Sequence, residues 1–299
     1  MIKFENVSKR FEDKEAVEEV NLSINKGSIY GLLGSNGAGK TTLLKLLSGI
    51  YTQDSGHVTI DEKMVYENPD VKRRLFFIPD YPYFFSQYTI RHMGSFYRNM
   101  YDNWNEERFN HLVKAFDIDP NRKLHKYSKG LQRQAAFILA LSTMPEILVL
   151  DEPMDGLDPV VRKNIKSLII EDVAEREMTV LISSHNLREV EDICDFVGIL
   201  HKGKMLIEKE LDDLKSDTHK IQLAFKDGAP EGIFEGLKVL HQENRGSVLL
   251  CIVRGNEDDI VKKVKRFDPV IFDMLPLTLE EIFIYEMEDV GYAIKNILV

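Results

Sequence analysis

The sequence predicts an α/β protein whose sheet is mainly parallel, and three observations carry that prediction. Short β-like apolar runs alternate with stretches of helical period over residues 1–217. Several runs, ILVL at 147–150 among them, are continuously apolar, as strands covered on both faces must be. One run, SIYGLL at 28–33, passes through a glycine-rich turn straight into the helical KTTLLKLLSGI at 40–50.

Strands are expected at residues 2–4, 28–33, 57–60, 75–79, 147–151, 179–183 and 196–201. Between 89 and 144 the pattern is almost wholly helical, which places an all-α insert inside the α/β domain. From about 218 the texture changes. IQLAF, LKVLHQ, SVLLCIVRG and VIFDMLP are short β-like segments separated by Gly, Asn and charged residues, and LTLEEIFIYEME follows as a helix. Residues 218–299 read as a small appended α+β domain; the alternative is a meandering extension without a core of its own.

Composition narrows the class. With 299 residues, 43% hydrophobic and 29% charged, neither a disordered nor a fibrous chain is credible. The net charge of −10 argues against a nucleic-acid coat, because neutralising phosphate needs a basic excess. The two cysteines, Cys194 and Cys251, form neither a disulfide framework nor a zinc knuckle, so a reducing cytosol is expected. The N-terminal MIKFENVSKRFEDKEAV is charged throughout and lacks a signal peptide's apolar stretch. Apolar runs at 135–141 and 248–253 fall far short of the roughly 18 to 20 residues a bilayer span needs. Any service to a membrane is expected to pass through a partner.

Residues 34–41, GSNGAGKT, match G-x-x-x-x-G-K-[ST] between a strand and a helix, the context that motif requires. A chance match in a chain of this length is on the order of 1% at average residue frequencies. Gly34, Gly37 and Gly39 let the backbone of the turn, with Ser35, Asn36 and Ala38, wrap closely around phosphate, while N–H groups and the helix N-terminus supply positive field. Lys40 is expected to reach the β- and γ-phosphates, Thr41 to hold Mg²⁺ through its hydroxyl, and Thr42 to reach the α-phosphate. The alternative is a glycine-rich turn without a ligand. A second element, ILVLDE at 147–152, ends an apolar strand in two carboxylates that need a compensating partner. Asp151 is expected to bind the metal and Glu152 to polarise the attacking water.

With these two elements in place, the chain resembles the ATP-binding subunit of ABC transporters. YSKGLQRQ at 127–134 resembles the family signature, usually Leu-Ser-Gly-Gly-Gln, and DEPMDGLDP at 151–159 resembles the carboxylate strand and D-loop, with Asp155, Gly156, Leu157 and Asp158 in position. His185, 33 residues after Glu152, matches the switch histidine, and Phe11 the aromatic that stacks on adenine. The resemblance covers about residues 1–215. It implies a P-loop NTPase fold of mainly parallel sheet, antiparallel β subdomain and all-α insert at about 89–144. The ATPase domain then spans 1–217. It implies ATP and Mg²⁺ as cofactors, catalysis by Glu152, His185 and Lys40, and nucleotide contacts from the cradle, Phe11, Ser128, Gly130 and Asp158. It also implies a second cassette paired head to tail, each ATP held between one cradle and the other subunit's Ser128 and Gly130. A separate integral membrane permease would be driven from the cytoplasmic face.

The chain also departs from the pattern. Asp80 stands where the family usually has a glutamine; as a hard oxygen ligand it is expected to coordinate magnesium. Tyr127, Lys129 and Leu131 replace Leu, the first Gly and Gln of the signature, while Ser128 and Gly130 remain. Ser128 reads equally as a helix N-cap. Ser-Lys-Gly signatures resemble those of the drug- and bacitracin-exporter branch, which implies export. Lys129 either attracts the γ-phosphate or points to solvent. Tyr81, Tyr83, Phe84, Phe85 and Tyr88 form a groove for a permease helix, a local aromatic core, or both. The alternative class is a soluble ABC ATPase acting on nucleic acid or ribosomes; neither its usual second cassette nor a coiled-coil insert is visible. The C-terminal domain is regulatory or helps the subunits pair.

Overall fold

The computed structural model describes residues 2–216, 218–226 and 228–289. The chain divides into two compact units, Met1–Glu208 and Lys209–Val299.

The first unit opens with the hairpin β1 (Ile2–Phe11) and β2 (Lys14–Ile24), followed by β3 (Ile29–Leu33) and α1 (Lys40–Leu47). Next come β4 (Ser55–Ile60), β5 (Lys63–Met64), α2 (Pro69–Lys72) and β6 (Leu75–Ile78). The helical stretch comprises α3 (Ile90–Arg98), α4 (Glu106–Ala115) and α5 (Lys129–Ser142). The chain returns through β7 (Ile147–Asp151), α6 (Pro159–Arg176), β8 (Thr179–Ser184), α7 (Leu187–Glu191), β9 (Phe196–His201) and β10 (Lys204–Glu210).

These strands form two sheets. One is antiparallel, in the order β2-β1-β4-β5; the other has the order β10-β9-β3-β8-β7-β6, and β9, β3, β8, β7 and β6 pair in parallel. The expected class, a mainly parallel sheet with an antiparallel β subdomain and an all-α insert, is what the chain adopts. Every residue of β3, β7 and β8 is buried, which is why their sequences are apolar runs rather than alternations. Leu43, Leu44, Leu46 and Leu47 of α1 pack with Tyr30, Leu32, Val149 and Leu181 into one core. That core holds the C-terminal ends of β3, β7 and β8 side by side, with Leu33 opposite Ser184 and Asp151 opposite Ser183. In open α/β sheets this edge is where ligands bind.

Three strands escaped the sequence reading: β2, β5 and β10 were not expected, and of β1 only residues 2–4 were expected to be extended. In β2, Val17, Val20, Leu22 and Ile24 face inward while charged residues face outward, and β1 pairs with it through several register shifts that interrupt the period-two pattern.

The second unit holds α8 (Leu211–Ser216), β11 (Thr218–Ala224), β12 (Lys238–Arg245), β13 (Val248–Arg254), α9 (Glu257–Lys265), β14 (Ile271–Leu275) and α10 (Leu279–Asp289). Its antiparallel sheet has the order β12-β13-β11-β14. Ile221, Leu223, Leu249, Cys251 and Val253 pack with Ile260 and Val264 of α9 into a separate core. The division after Glu208 precedes the 217/218 boundary read from the sequence, because α8 packs against β11. Among the described residues, no helix is long and apolar enough to cross a membrane.

Leu43 is fully buried. Leu43→Ala is expected to lower stability by about 2 to 5 kcal/mol, read as a drop in the unfolding temperature of the first unit.

Candidate active site

The parallel sheet delivers a backbone turn to its edge. Beyond β3 the chain passes through residues 34–39 into α1, whose N-cap is Gly39 at φ 112°. A Cβ there would lie 2.4 Å from the Ala16 carbonyl oxygen, so the turn admits no side chain at this position. Gly39 offers α1 no side-chain cap, and the first-turn N–H groups are available to an anion. Lys40 is buried at the base of the turn. Its Nζ donates to the Gly34 carbonyl at 2.7 Å and the Ser35 carbonyl at 3.4 Å.

The adjacent strand ends supply oxygen. Asp151, only 2% exposed, accepts at Oδ1 from the Ser183 hydroxyl at 2.7 Å and the Thr41 hydroxyl at 3.1 Å. Burial pushes its pKa above the usual carboxylate range; the two hydrogen bonds oppose that shift, and the charges of Glu152 and Asp80 add to it. Glu152 sits in the left-handed region at φ 46°, and its N–H donates to the Ser183 hydroxyl at 3.0 Å. Its Oε2 accepts the His185 backbone N–H at 3.2 Å and meets His185 Nδ1 at 2.9 Å. Its Oε1 lies 3.0 Å from Lys40 Nζ, an ion pair angled away from hydrogen-bond geometry. Asp155 joins this group: one ligand atom each from Glu152, Asp155 and His185 lie within 4.8 Å of one another.

The structure thus brings Lys40, Thr41, Asp151, Glu152 and His185 into one connected cluster. Phe11, Asn36, Gly37, Ala38, Gly39, Thr42 and Asp80 line the same 330 Å³ cleft as Lys40, Thr41 and Glu152. Phe11 is 40% exposed and propped edge-on by Tyr51 at 5.2 Å. A turn in which backbone blocks any side chain at Gly34 and Gly39, a buried lysine and an uncapped helix start fit a polyphosphate. The hydroxyl of Thr41 and the buried carboxylate of Asp151 are hard oxygen donors, and a cation there would relieve the cost of ionising Asp151; the pair fits magnesium.

Three predicted residues stand apart from the cleft. Ser128 caps α5, its Oγ accepting from the Leu131 N–H at 3.3 Å. Two residues on, a Cβ at Gly130 would come within 2.9 Å of the Gly156 carbonyl oxygen, so glycine lets the first turn of α5 press against the turn after Glu152. Asp158 caps α6, accepting from the Val160 and Val161 N–H groups, both at 3.0 Å. Asp80 lines the cleft, but its carboxylate pairs with Arg133 at 2.9 Å. Lys129 is exposed, and its Nζ lies over the Tyr81 ring, 5.5 Å from the centroid. Of the aromatic run, Tyr81 and Tyr83 are largely exposed, and Phe85 contacts the rings of Tyr88 and Phe96, all three of them still partly open to solvent.

Sequence reasoning missed Ser183, the hydroxyl shared by Asp151 and Glu152, although a polar residue in the buried run TVLISS was a usable signal. Arg133 and Tyr51 carried no comparable local signal.

Two outcomes follow from this geometry. Ionised Asp151 is penalised in the folded state, so its cost is absent below the ordinary carboxylate pKa and grows as pH rises through the raised folded value. Asp151→Asn is therefore expected to raise the unfolding temperature of the metal-free protein more at pH 8 than at pH 4.5, as measured by thermal melts. Gly39→Ala is expected to weaken nucleotide binding at least ten-fold in calorimetric titration, because the added methyl meets the Ala16 carbonyl.

Comparison with known proteins agrees with this geometry. The family described as ABC transporter matches residues 17–155. The ABC transporter ATP-binding protein YtrB of Bacillus subtilis (strain 168) is 32% identical over 285 residues, 95% of this chain and 97% of that protein. The bacitracin transport ATP-binding protein BcrA of Bacillus licheniformis is 34% identical over 229 residues, 74% of this chain and 73% of that one. A solved dimeric ATP-binding cassette, in a post-hydrolysis state bound to ADP and Pi, shares the fold with a TM-score of 0.64 and 23% identity. The match covers 71% of this chain and 99% of that one. The chain belongs to the ABC transporter family.

Proposed function

We propose that this chain is the ATP-binding and ATP-hydrolysing subunit of an ABC exporter, paired with a second cassette and driving a separate membrane permease. The observation that carries the reading is the cluster in which Lys40 and His185 both contact Glu152 while Thr41 and Asp151 share a hydrogen bond beside them. Family membership supports ATP as the ligand of this cleft, and the bacitracin-transport relative supports export.

The chemistry is in-line attack of water on the γ-phosphorus. Glu152 polarises the water and receives its proton as the new phosphorus–oxygen bond forms. The bond from the γ-phosphorus to the bridging oxygen breaks, and ADP and Pi leave. Lys40 exchanges the Gly34 and Ser35 carbonyls for phosphate oxygens and offsets their charge. His185 holds Oε2 of Glu152, which leaves Oε1 to face the reacting groups. Thr41 and Asp151 would hold Mg²⁺, which when bound supplies neutralising charge at the phosphate oxygens. Phe11 stacks on adenine, and the cradle from Gly34 to Thr42 grips the phosphates.

Ser128 and Gly130, standing outside the chain's own cleft, serve the cradle of the neighbouring cassette, as does Asp158 at the start of α6. Each site is then complete only when two cassettes close on each other. Closure moves the exposed aromatic segment against the permease at the cytoplasmic face of the membrane. The net charge of −10 favours such a partner over nucleic acid. The second unit is an accessory domain.

Glu152→Gln is expected to keep ATP binding and to lose about 10²- to 10⁴-fold in turnover, the range that loss of a general base commands. ATPase rates and equilibrium nucleotide binding measured on the same preparation check this; turnover at the wild-type rate removes Glu152 from the proposed role. Copurification from membranes with an integral permease tests the assignment of partner, and recovery with ribosomes or DNA instead overturns it.

A further inference from the structure

Arg133 is a charged side chain that neither the phosphate chemistry nor the core explains. Its guanidinium is 8% exposed, on the third position after Gly130 in α5. Burying such a group is costly unless its charge and its donors are all matched. Here two distant segments meet its charge and its two terminal nitrogens. One terminal nitrogen donates to the Asp155 carbonyl; the other donates to the Asp80 carbonyl and to Asp80 Oδ1, the last at 2.9 Å. Both segments border the reacting groups. Asp80 follows β6 and lines the cleft with Lys40 and Glu152, while Asp155 lies in the turn whose carboxylate clusters with Glu152 and His185.

Two further contacts bind the same three pieces together. Lys129 covers the Tyr81 ring next to Asp80, and Gly130 permits α5 to press against Gly156 next to Asp155. The start of α5 is therefore fastened on one side to the segment leading into the exposed aromatics, and on the other to the turn after Glu152.

We propose that Arg133 is a positioning residue for ATP hydrolysis, holding the Asp80 segment and the Asp155 turn to α5 as one body, and that Asp80 serves as its counter-charge rather than as a magnesium ligand. The inference rests on the ATPase reading above. The bidentate demand is specific to arginine: its planar fork reaches two carbonyls and a carboxylate at once, whereas a lysine ammonium is a point donor on a flexible stem. Movement of the aromatic segment then reaches Glu152 through this guanidinium, and the alignment of Asp155 beside Glu152 depends on α5 being in place.

The test is steady-state ATPase kinetics on the full chain with a double-mutant cycle. Arg133→Met is expected to lower kcat at least ten-fold with KM for MgATP within three-fold, and Arg133→Lys to fall between it and wild type. Asp80→Asn is expected to lower kcat while leaving the Mg²⁺ concentration for half-maximal activity unchanged. The double variant Asp80→Asn, Arg133→Met is expected to be no slower than Arg133→Met alone. The proposal is overturned if Arg133→Met keeps kcat within three-fold of wild type, or if the two losses simply multiply. It is equally overturned if Asp80→Asn raises the Mg²⁺ requirement. Should Arg133→Met fail to fold, Asp80→Asn, which leaves both carbonyl acceptors in place, still decides through its kcat and magnesium profile. A wild-type chain that binds no nucleotide would instead sink the ATPase reading itself, a result these ratios cannot mimic.

Discussion

Everything in the first unit is arranged around a pair of carboxylates at the end of a strand with no exposed residue. Asp151 ends β7, a run otherwise made of Ile, Leu and Val, with Glu152 directly after it, and burial makes the ionised form of Asp151 expensive. The chain meets that cost with donors from neighbouring elements: Thr41 from α1, Ser183 from β8, the His185 N–H beyond β8, and the Lys40 ammonium. The parallel register of β3, β8 and β7 is what makes these donors neighbours, since it sets Leu33, Ser184, Ser183 and Asp151 at one edge. Sheet, helix and site are thus one construction. The hydrophobic core under α1 fixes the edge, and the edge gathers the charges.

The matching stops short of neutrality. Asp151 remains a reluctant anion, with Glu152 and Asp80 nearby. A site that prefers added positive charge is suited to a divalent cation, because binding relieves an existing penalty as well as forming new contacts. Lys40 illustrates the same economy: held by backbone carbonyls and Glu152, it is already pointed and partly desolvated before phosphate arrives.

Legibility in the sequence followed the range of the interactions. The cradle, the strand-ending acids and His185 lie in short motifs whose local order encodes their geometry, and the structure assembles them as one cluster. Buried parallel strands were readable because both faces are apolar. The hairpin of β1 and β2 was only partly readable: Lys9, Arg10, Lys14 and Glu15 dominate its composition, and its irregular register obscures the inward-facing valines. Arg133 was not readable at all. In a helix that starts KGLQRQ it looks like any solvated charge, and its partners lie 22 and 53 residues away in the chain. The second unit's strands were recovered from alternation, but α9 was not, since only Ile260 and Val264 on it are buried.

The backbone at Glu152 carries a wider consequence. A left-handed conformation costs a residue with a side chain roughly 1–2 kcal/mol, and glycine would adopt it freely. The residue most comfortable for the polypeptide at this point is therefore one with no chemistry to offer. On the role proposed for Glu152, the side chain that activates water stands where the backbone would favour glycine, so function and stability oppose each other at that one position.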